Sequence, residues 1–223
     1  MKVSLKDVTI LVNEKIDSKL ADEKYYVTTE NMLPNRGGVS FPAQSFTTAK
    51  RVNIYNKSDI LVSNIRPYFK KIWFANHGGT RSGDILTFRS KDKSRLSQEY
   101  LYMILQSDSF FDYVTKTSKG TKMPRGDKKA IMNFKIDLPP IDEQLKKAES
   151  VLTIERKIKL NRQINANLVD LIDIIYNNFC SNFSSETHQT ISDVFNVKST
   201  TYSIKENKDK KVLHFSIPNF ERP

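Results

Sequence analysis

The feature that most constrains this sequence is a long segment without Gly or Pro that follows two adjacent prolines. Pro139 and Pro140 end the preceding strand and fit the first turn of a helix, where a missing backbone N–H is tolerated. Asp142 and Glu143 then place negative charge at the positive end of the helix dipole. No Gly or Pro interrupts residues 143–180, so the sequence predicts a helix roughly 57 Å long at 1.5 Å per residue. A helix of that length needs a partner to bury its apolar side.

Eight residues of this predicted helix, six of them apolar, recur at alternating intervals of four and three residues. This is the heptad spacing of a coiled coil. Two positions of the seam are asparagines. Each lowers stability but penalises wrong registers and orientations, because a misplaced amide would be buried without a partner. The alternative is a long amphipathic helix packed on its own domain. The predicted partner-facing positions are Ile154, Ile158, Asn161, Asn165, Leu168, Ile172, Ile175 and Phe179.

The first 139 residues combine strand and helix signals. Residues 60–65, 71–75 and 84–88 are short apolar, β-branched or aromatic segments that predict strands of one sheet. Ser97 can cap a helix from Gln98 to about Val114, and residues 134–138 alternate apolar and polar before the prolines. The predicted fold class is therefore α+β, a globular mixed sheet-and-helix domain followed by a long coiled-coil spacer helix. The predicted division of the chain is 1–139, 140–182 and 183–223.

The net charge of the chain indicates which class of molecule it binds. The 223 residues contain 36 Lys plus Arg and 25 Asp plus Glu, a formal net charge of +11, which favours a polyanion such as nucleic acid. No apolar run approaches the roughly 20 residues that span a bilayer, and the N-terminus lacks a signal-peptide core. We therefore expect a cytoplasmic protein with no membrane partner. With Cys180 as the only cysteine, an internal disulfide is excluded.

The positive charge is concentrated in two segments. Residues 116–135 hold seven Lys and Arg residues against one Asp, and residues 50–71 hold six against one Asp. For any single lysine, a solvated surface position is the simpler explanation, so the prediction depends on the grouping. We predict DNA contacts from Arg36, Arg66, Tyr68, Lys70, Lys71, Lys119, Lys122, Arg125, Lys128 and Lys129.

Several segments together resemble a known family. They are residues 120–129 (GTKMPRGDKK), 136–144 (IDLPPIDEQ), the helical residues 157–165, and the sheet segments 60–67 and 82–86. The sequence is similar to the specificity subunit of type I restriction-modification systems. That resemblance implies a target recognition domain that reads one half of a split double-stranded DNA site. It also implies that the helix acts as a spacer and as a docking surface for methyltransferase subunits, in a complex with a restriction/motor subunit.

A usual specificity subunit of that family carries two recognition domains and two spacer helices, whereas this sequence has room for one of each plus a tail. The interpretation is a half subunit that forms a homodimer through antiparallel helices and reads a palindromic site. A weak repeat, in which residues 190–194 resemble 3–8 and residues 214–220 resemble 26–32, identifies 183–223 as the truncated start of a second recognition domain. Chance similarity is the alternative for the repeat, and the tail is expected either to clasp the partner copy or to be a remnant.

Enzymatic interpretations find little support in the sequence. An adenine methyltransferase needs Asn or Asp directly before Pro-Pro and an aromatic residue, but Leu138 follows Asp137, and Ile141 takes the aromatic position. There is no phosphate-binding loop or dinucleotide fingerprint, and the three histidines are far apart, so we expect no catalytic residues, no metal and no cofactor. The sequence predicts a non-catalytic DNA-recognition subunit that directs adenine methylation and restriction. The alternatives are a coiled-coil assembly protein with an incidental basic surface and a degenerate DNA methyltransferase.

Overall fold

The computed structural model describes residues 1–181, apart from the side chain of Lys159, and the tail predicted over 183–223 lies outside the described residues. The chain divides into two compact units, Met1–Ala166 and Asn167–Pro223. The described part of the second unit is helical. The strands are β1 (Lys2–Ser4), β2 (Thr9–Leu11), β3 (Lys15–Asp17), β4 (Tyr26–Val27), β5 (Arg51–Tyr55), β6 (Ile60–Ser63), β7 (Ile72–Phe74), β8 (Gly79–Arg81), β9 (Ile85–Ser90) and β10 (Lys135–Asp137). The helices are α1 (Leu5–Val8), α2 (Gln98–Leu105), α3 (Asp108–Lys116), α4 (Lys128–Met132) and α5 (Ile141–Ser181).

The first unit contains three β-sheets. The order is β2-β9-β6-β7 in the first sheet and β3-β5-β8-β4 in the second, while β1 pairs with β10. The three predicted strands are therefore confirmed as neighbours, with Val62 opposite both Leu86 and Ile72 in antiparallel register. Alternate residues of β6 face two cores, because successive side chains of a strand point to opposite faces. Val62 packs in the core that contains the helices, and Leu61 packs with Tyr55 of the second sheet.

One predicted helix is two helices. The segment expected to run from Gln98 to about Val114 ends α2 at Leu105 and restarts as α3 at Asp108. Ser97 caps α2 as predicted, since its hydroxyl accepts a hydrogen bond from the Tyr100 backbone N–H at 3.1 Å. The single-helix prediction was wrong because Ser107 repeats that cap, accepting from the Phe110 backbone N–H at 3.2 Å. This second N-cap starts a new helix at a point where helix propensity alone predicts one continuous helix.

The long helix begins with a buried glutamine. Gln144 is fully buried, and its Oε1 accepts a hydrogen bond from the Ser97 backbone N–H at 3.0 Å. Its Nε2 donates to the carbonyl oxygens of Arg95 at 2.9 Å and Pro139 at 2.8 Å. The side chain therefore links the start of α5 to the start of α2. This contact explains why a glutamine follows the paired prolines.

Replacing Gln144 with alanine is expected to destabilise the chain by about 3 kcal/mol or more, since buried partners left without hydrogen bonds cost about 1–3 kcal/mol each. Urea denaturation followed by circular dichroism measures the change. Gln163→Ala is the matched control, because Gln163 is exposed on the same helix and surface substitutions stay within about 0.5 kcal/mol. Equal stability of the two variants would contradict the structural role of Gln144.

Beyond its first four turns, α5 is open to solvent. Ala148 is buried and Leu152 packs against the main core, whereas every described side chain from Arg156 to Ala166 is exposed. In the second unit, Leu168 is 51% exposed and Ile172 63% exposed. All eight predicted partner-facing positions are exposed in the single chain. No helix within residues 1–181 is long and apolar enough to cross a membrane.

Candidate DNA interface

Three loops meet at one end of the first sheet, where the hairpin between β6 and β7 turns. They are residues 34–37, 64–71 and 118–128. The Arg66 backbone N–H donates to the Pro124 carbonyl at 2.8 Å, and the Arg36 backbone N–H donates to the Lys70 carbonyl at 3.0 Å. The two basic segments of the sequence are thus joined by backbone hydrogen bonds. We call residues 34–37, 64–71 and 118–128 the basic loop surface.

The backbone of this surface adopts unusual conformations. Arg66 (φ 48°) and Lys70 (φ 51°) flank a short 3₁₀ turn, and Asn35 (φ 52°) and Arg36 (φ 62°) lie on the loop that docks against it. Positive φ is uncommon for residues other than glycine, and such conformations concentrate at functional sites. The turn presents Tyr68, whose side chain is 48% exposed. Four of the five non-glycine residues with positive φ in the described chain therefore lie here, and the fifth, Ser58, lies between β5 and β6.

Gly126 is required by a close approach between loops. Its backbone N–H donates to the Asn64 carbonyl at 3.0 Å. A Cβ added at this position would lie 2.7 Å from Asn64 Oδ1 and 2.9 Å from Ile131 Cδ1, which is closer than van der Waals contact permits. Glycine is the residue that lets residues 118–128 lie against the β6–β7 hairpin.

Acidic side chains position several of the cations. Asp108, at the start of α3, accepts hydrogen bonds from Lys70 Nζ at 2.6 Å and Arg36 Nη2 at 2.5 Å. The Lys70 and Arg36 side chains lower the pKa of Asp108 to about 2. The carboxylate therefore stays ionised at any physiological pH. Both cations are held beside the 3₁₀ turn.

Two further ion pairs fix the 118–128 loop. Lys119 Nζ lies 2.6 Å from Asp127 Oδ2, and Arg125 Nη2 lies 3.2 Å from Asp84 Oδ1. Asp127 also caps α4, since its Oδ1 accepts a hydrogen bond from the Lys129 backbone N–H at 2.9 Å. The Lys119 side chain and these backbone donors lower the pKa of Asp127. The loop is thereby tied to α4 on one side and to the start of β9 on the other.

The structure groups most of the predicted DNA contacts but not all of them. The members of the basic loop surface among them are Arg36, Arg66, Tyr68, Lys70, Lys71, Lys119, Lys122, Arg125 and Lys128. The Lys71 side chain points away from the others, because its Nζ donates to the Thr29 carbonyl at 2.6 Å, and burial lowers its pKa. Lys129 follows the surface on α4 and is exposed. Within residues 1–181, Lys122, Lys128 and Lys129 form no side-chain ion pair.

Sequence reasoning missed the residues that hold the surface together. Asp108 and Asp84 orient cations that are far away in sequence, and Asn35 donates its backbone N–H to the Phe69 carbonyl at 2.8 Å. A search for positive charge finds none of them. The Ser107-Asp108 pair is a recognisable helix start, but its role as an ion-pair partner has no local signal. No group of three or more His, Cys, Asp or Glu side chains in the described residues is arranged to hold a metal ion.

Comparison with known proteins identifies the family. The profile of the type I restriction modification DNA specificity domain matches residues 1–169, and the chain belongs to this family. The sequence is 23% identical over 202 residues to the type I restriction enzyme EcoDI specificity subunit of Escherichia coli. That alignment covers 87% of the chain and 42% of the E. coli protein. The chain therefore spans less than half the length of this relative.

Solved structures share the fold. The HsdS subunit from Thermoanaerobacter tengcongensis superposes with a TM-score of 0.59 at 20% identity, covering 78% of this chain and 46% of that protein. The S subunit of the type I restriction-modification system from M. genitalium superposes with a TM-score of 0.53 at 17% identity, covering 78% and 42%. The predicted fold class, a mixed sheet-and-helix domain followed by a long helix, is confirmed.

Replacing Asp108 with asparagine is expected to raise the affinity for non-specific duplex DNA several-fold, because it releases Arg36 and Lys70 from their shared carboxylate. The slope of log affinity against log salt should steepen by about one to two units. Fluorescence anisotropy with a labelled duplex at several salt concentrations measures both. Asp112→Asn is the matched control, since it removes the same charge from an exposed position on α3. Weaker non-specific binding by Asp108→Asn alone would mean that the ion pair is needed to shape the surface.

Proposed function

We propose that this chain recognises one half of a split DNA sequence as the specificity subunit of a type I restriction-modification complex. The observation that carries the proposal is the joining of two basic segments, distant in sequence, into the basic loop surface. Residues 1–139 would form the recognition domain and residues 140–182 the spacer helix. Phosphate contacts would position the domain, and side chains such as Arg125 would read base edges in the major groove. The complex would act in the cytoplasm.

The partner subunits would catalyse the methylation and cleavage reactions. Methyltransferase subunits would dock on α5 and methylate adenine, and a restriction/motor subunit would cleave DNA that lacks the mark. The exposed apolar residues of α5 support docking of another helix, because a solvent-exposed apolar stripe of this length is unfavourable in water. The residues on which this argument rests are Ile154, Ile158, Leu168, Ile172 and Ile175. The chain itself would catalyse no step.

Two copies would pair through α5 in antiparallel fashion. Asn161 and Asn165 support a specified orientation, because buried amides that fail to meet penalise alternative registers. An antiparallel pair places two recognition domains at opposite ends about a twofold axis, whereas a parallel pair would bring both to one stretch of duplex. The expected target is therefore palindromic.

The experiment that tests the function is a salt-dependent binding titration on genomic fragments, with and without the methyltransferase subunit. Specific binding should exceed non-specific binding by about 10³ or more, and the methylated motif in cells that depend on this chain should match the bound sequence. Binding without sequence preference would favour the assembly protein with an incidental basic surface. Binding of S-adenosylmethionine by the isolated chain would favour a methyltransferase instead.

A further inference from the structure

Two neighbouring aromatic side chains are exposed on the basic loop surface, on the turn between β6 and β7. Tyr68 is 48% exposed and Phe69 is 39% exposed. Within residues 1–166, every other aromatic side chain is buried or half-buried. Met123, 49% exposed, lies on the neighbouring loop of the same surface. Single exposed apolar side chains are common on proteins, but adjacent ones mark a surface that binds something.

The backbone that carries the two rings is held on both sides. The Phe69 N–H donates to the Arg66 carbonyl at 3.0 Å, and the Phe69 carbonyl accepts from the Asn35 N–H at 2.8 Å. Pro67 is buried, and its carbonyl accepts from the Lys70 N–H at 2.9 Å. Positive φ at Arg66 and Lys70 persists only because these contacts impose it. A turn fixed in this way loses little conformational entropy when it binds a ligand.

The two rings contact each other more closely than they contact the rest of the domain. Their centroids are 4.8 Å apart, and the ring planes are tilted by 52°. Lys71 Nζ lies 5.8 Å from the centroid of the Phe69 ring. Phe69 therefore lies between Tyr68 and a cation, and about half of the Tyr68 side chain is left open to a ligand.

The charge around the rings favours a nucleic acid over a protein as that ligand. The basic loop surface contains eight Lys and Arg residues and a single acidic residue, Asp127. The Asp127 carboxylate is already paired with Lys119 Nζ at 2.6 Å. Aromatic rings among cations suit a nucleic acid, because a ring stacks on a base while the cations hold the neighbouring phosphates.

We propose that Tyr68 inserts at one base step of the bound DNA and stacks on a base, with Phe69 supporting its ring. The faces of the bases are covered in an intact duplex, so stacking requires a step to open, as when other proteins insert an apolar side chain and kink the duplex. The proposal rests on the proposed DNA recognition and adds a second source of specificity to it. A step that opens easily is favoured there, without any contact to its base edges.

Fluorescence anisotropy of the full chain with two labelled duplexes of one sequence tests this proposal, one intact and one with a central abasic site. The abasic site exposes base faces without any cost of unstacking, so the wild type should bind that duplex roughly tenfold more tightly. Tyr68→Ala should lose this preference, and Tyr68→Phe, which keeps the ring, should retain it. Tyr68→Ala removes no charge, so the slope of log affinity against log salt should equal that of the wild type.

A 2-aminopurine base placed beside the abasic site reports stacking directly, because a stacked aromatic ring quenches its fluorescence. Wild type and Tyr68→Phe should quench the signal, whereas Tyr68→Ala should not. Leu20→Ala is the matched control, since Leu20 is an exposed apolar side chain outside the basic loop surface. This control should match the wild type in affinity, preference and quenching.

Equal binding of the two duplexes by the wild type would overturn the stacking proposal while leaving the proposed DNA recognition intact. A preference that persists in Tyr68→Ala would exclude Tyr68 as the stacking group. Equal losses of affinity on both duplexes with a smaller salt slope would mean that Tyr68 only supports the cations around it. Weaker binding of the methyltransferase subunit, with DNA binding unchanged, would assign the turn to a protein interface. Absence of binding to either duplex by the wild type would contradict the proposed function itself.

Discussion

Joint replacement of Lys119, Lys122, Arg125, Lys128 and Lys129 with glutamine is expected to weaken DNA binding by roughly a thousandfold at 0.1 M salt. Each lost phosphate contact removes about 0.9 units from the slope of log affinity against log salt, so the slope should fall by about four. A larger loss on the specific site than on random duplex would indicate that Arg125 also reads a base. Anisotropy titrations on both duplexes at four or more salt concentrations measure these quantities.

The matched control for this variant removes the same charge elsewhere. Its five substitutions are Lys2→Gln, Lys19→Gln, Lys24→Gln, Lys93→Gln and Lys146→Gln, all at exposed positions. If DNA lies on the basic loop surface, the control should lose far less affinity than the loop variant, because charges beyond a Debye length are largely screened. Equal losses of affinity in the two variants would mean that net charge alone drives binding. Unchanged DNA binding by the loop variant would mean that the DNA interface lies on another surface of the protein.

Replacing Leu168, Ile172 and Ile175 with aspartate is expected to raise the dissociation constant of the proposed homodimer by a thousandfold or more. Burying each of these side chains in a partner contributes about 1.5–3 kcal/mol, and every factor of ten in affinity corresponds to about 1.4 kcal/mol. Aspartates in a seam would also repel their counterparts. Sedimentation equilibrium across the micromolar range, with the folded state checked by circular dichroism, measures the change.

Aspartates at Gln163, Ala166 and Asn177 provide the control for the helix. These positions lie on the opposite side of an ideal helical wheel from the three seam residues, and all three are exposed. The control should dimerise like the wild type. A wild-type chain that stays monomeric at micromolar concentration, even with the methyltransferase subunit or DNA present, would exclude the homodimer and leave α5 to another partner.

The sequence by itself determined the elements whose signals are local. Paired prolines followed by Asp142 and Glu143 fix the start of α5, and the absence of Gly and Pro carries the helix to Ser181. Three short apolar segments became β6, β7 and β9. The concentration of Lys and Arg in two segments identified residues that the fold then joined. In each case the signal lies within a short stretch of sequence, so it can be read without knowing the tertiary structure.

Tertiary structure decided everything that depends on residues distant in sequence. Asp108 contacts Lys70 and Arg36, and Lys71 turns toward the Thr29 carbonyl. Gln144 accepts a hydrogen bond from Ser97, 47 residues earlier in the chain. None of these contacts follows from a local pattern, because each depends on where the sheets place the loops. Charge identified the two segments that we propose to contact DNA. The packing of loops against the β6–β7 hairpin decided which cations face outward and which are held by a partner of the protein itself.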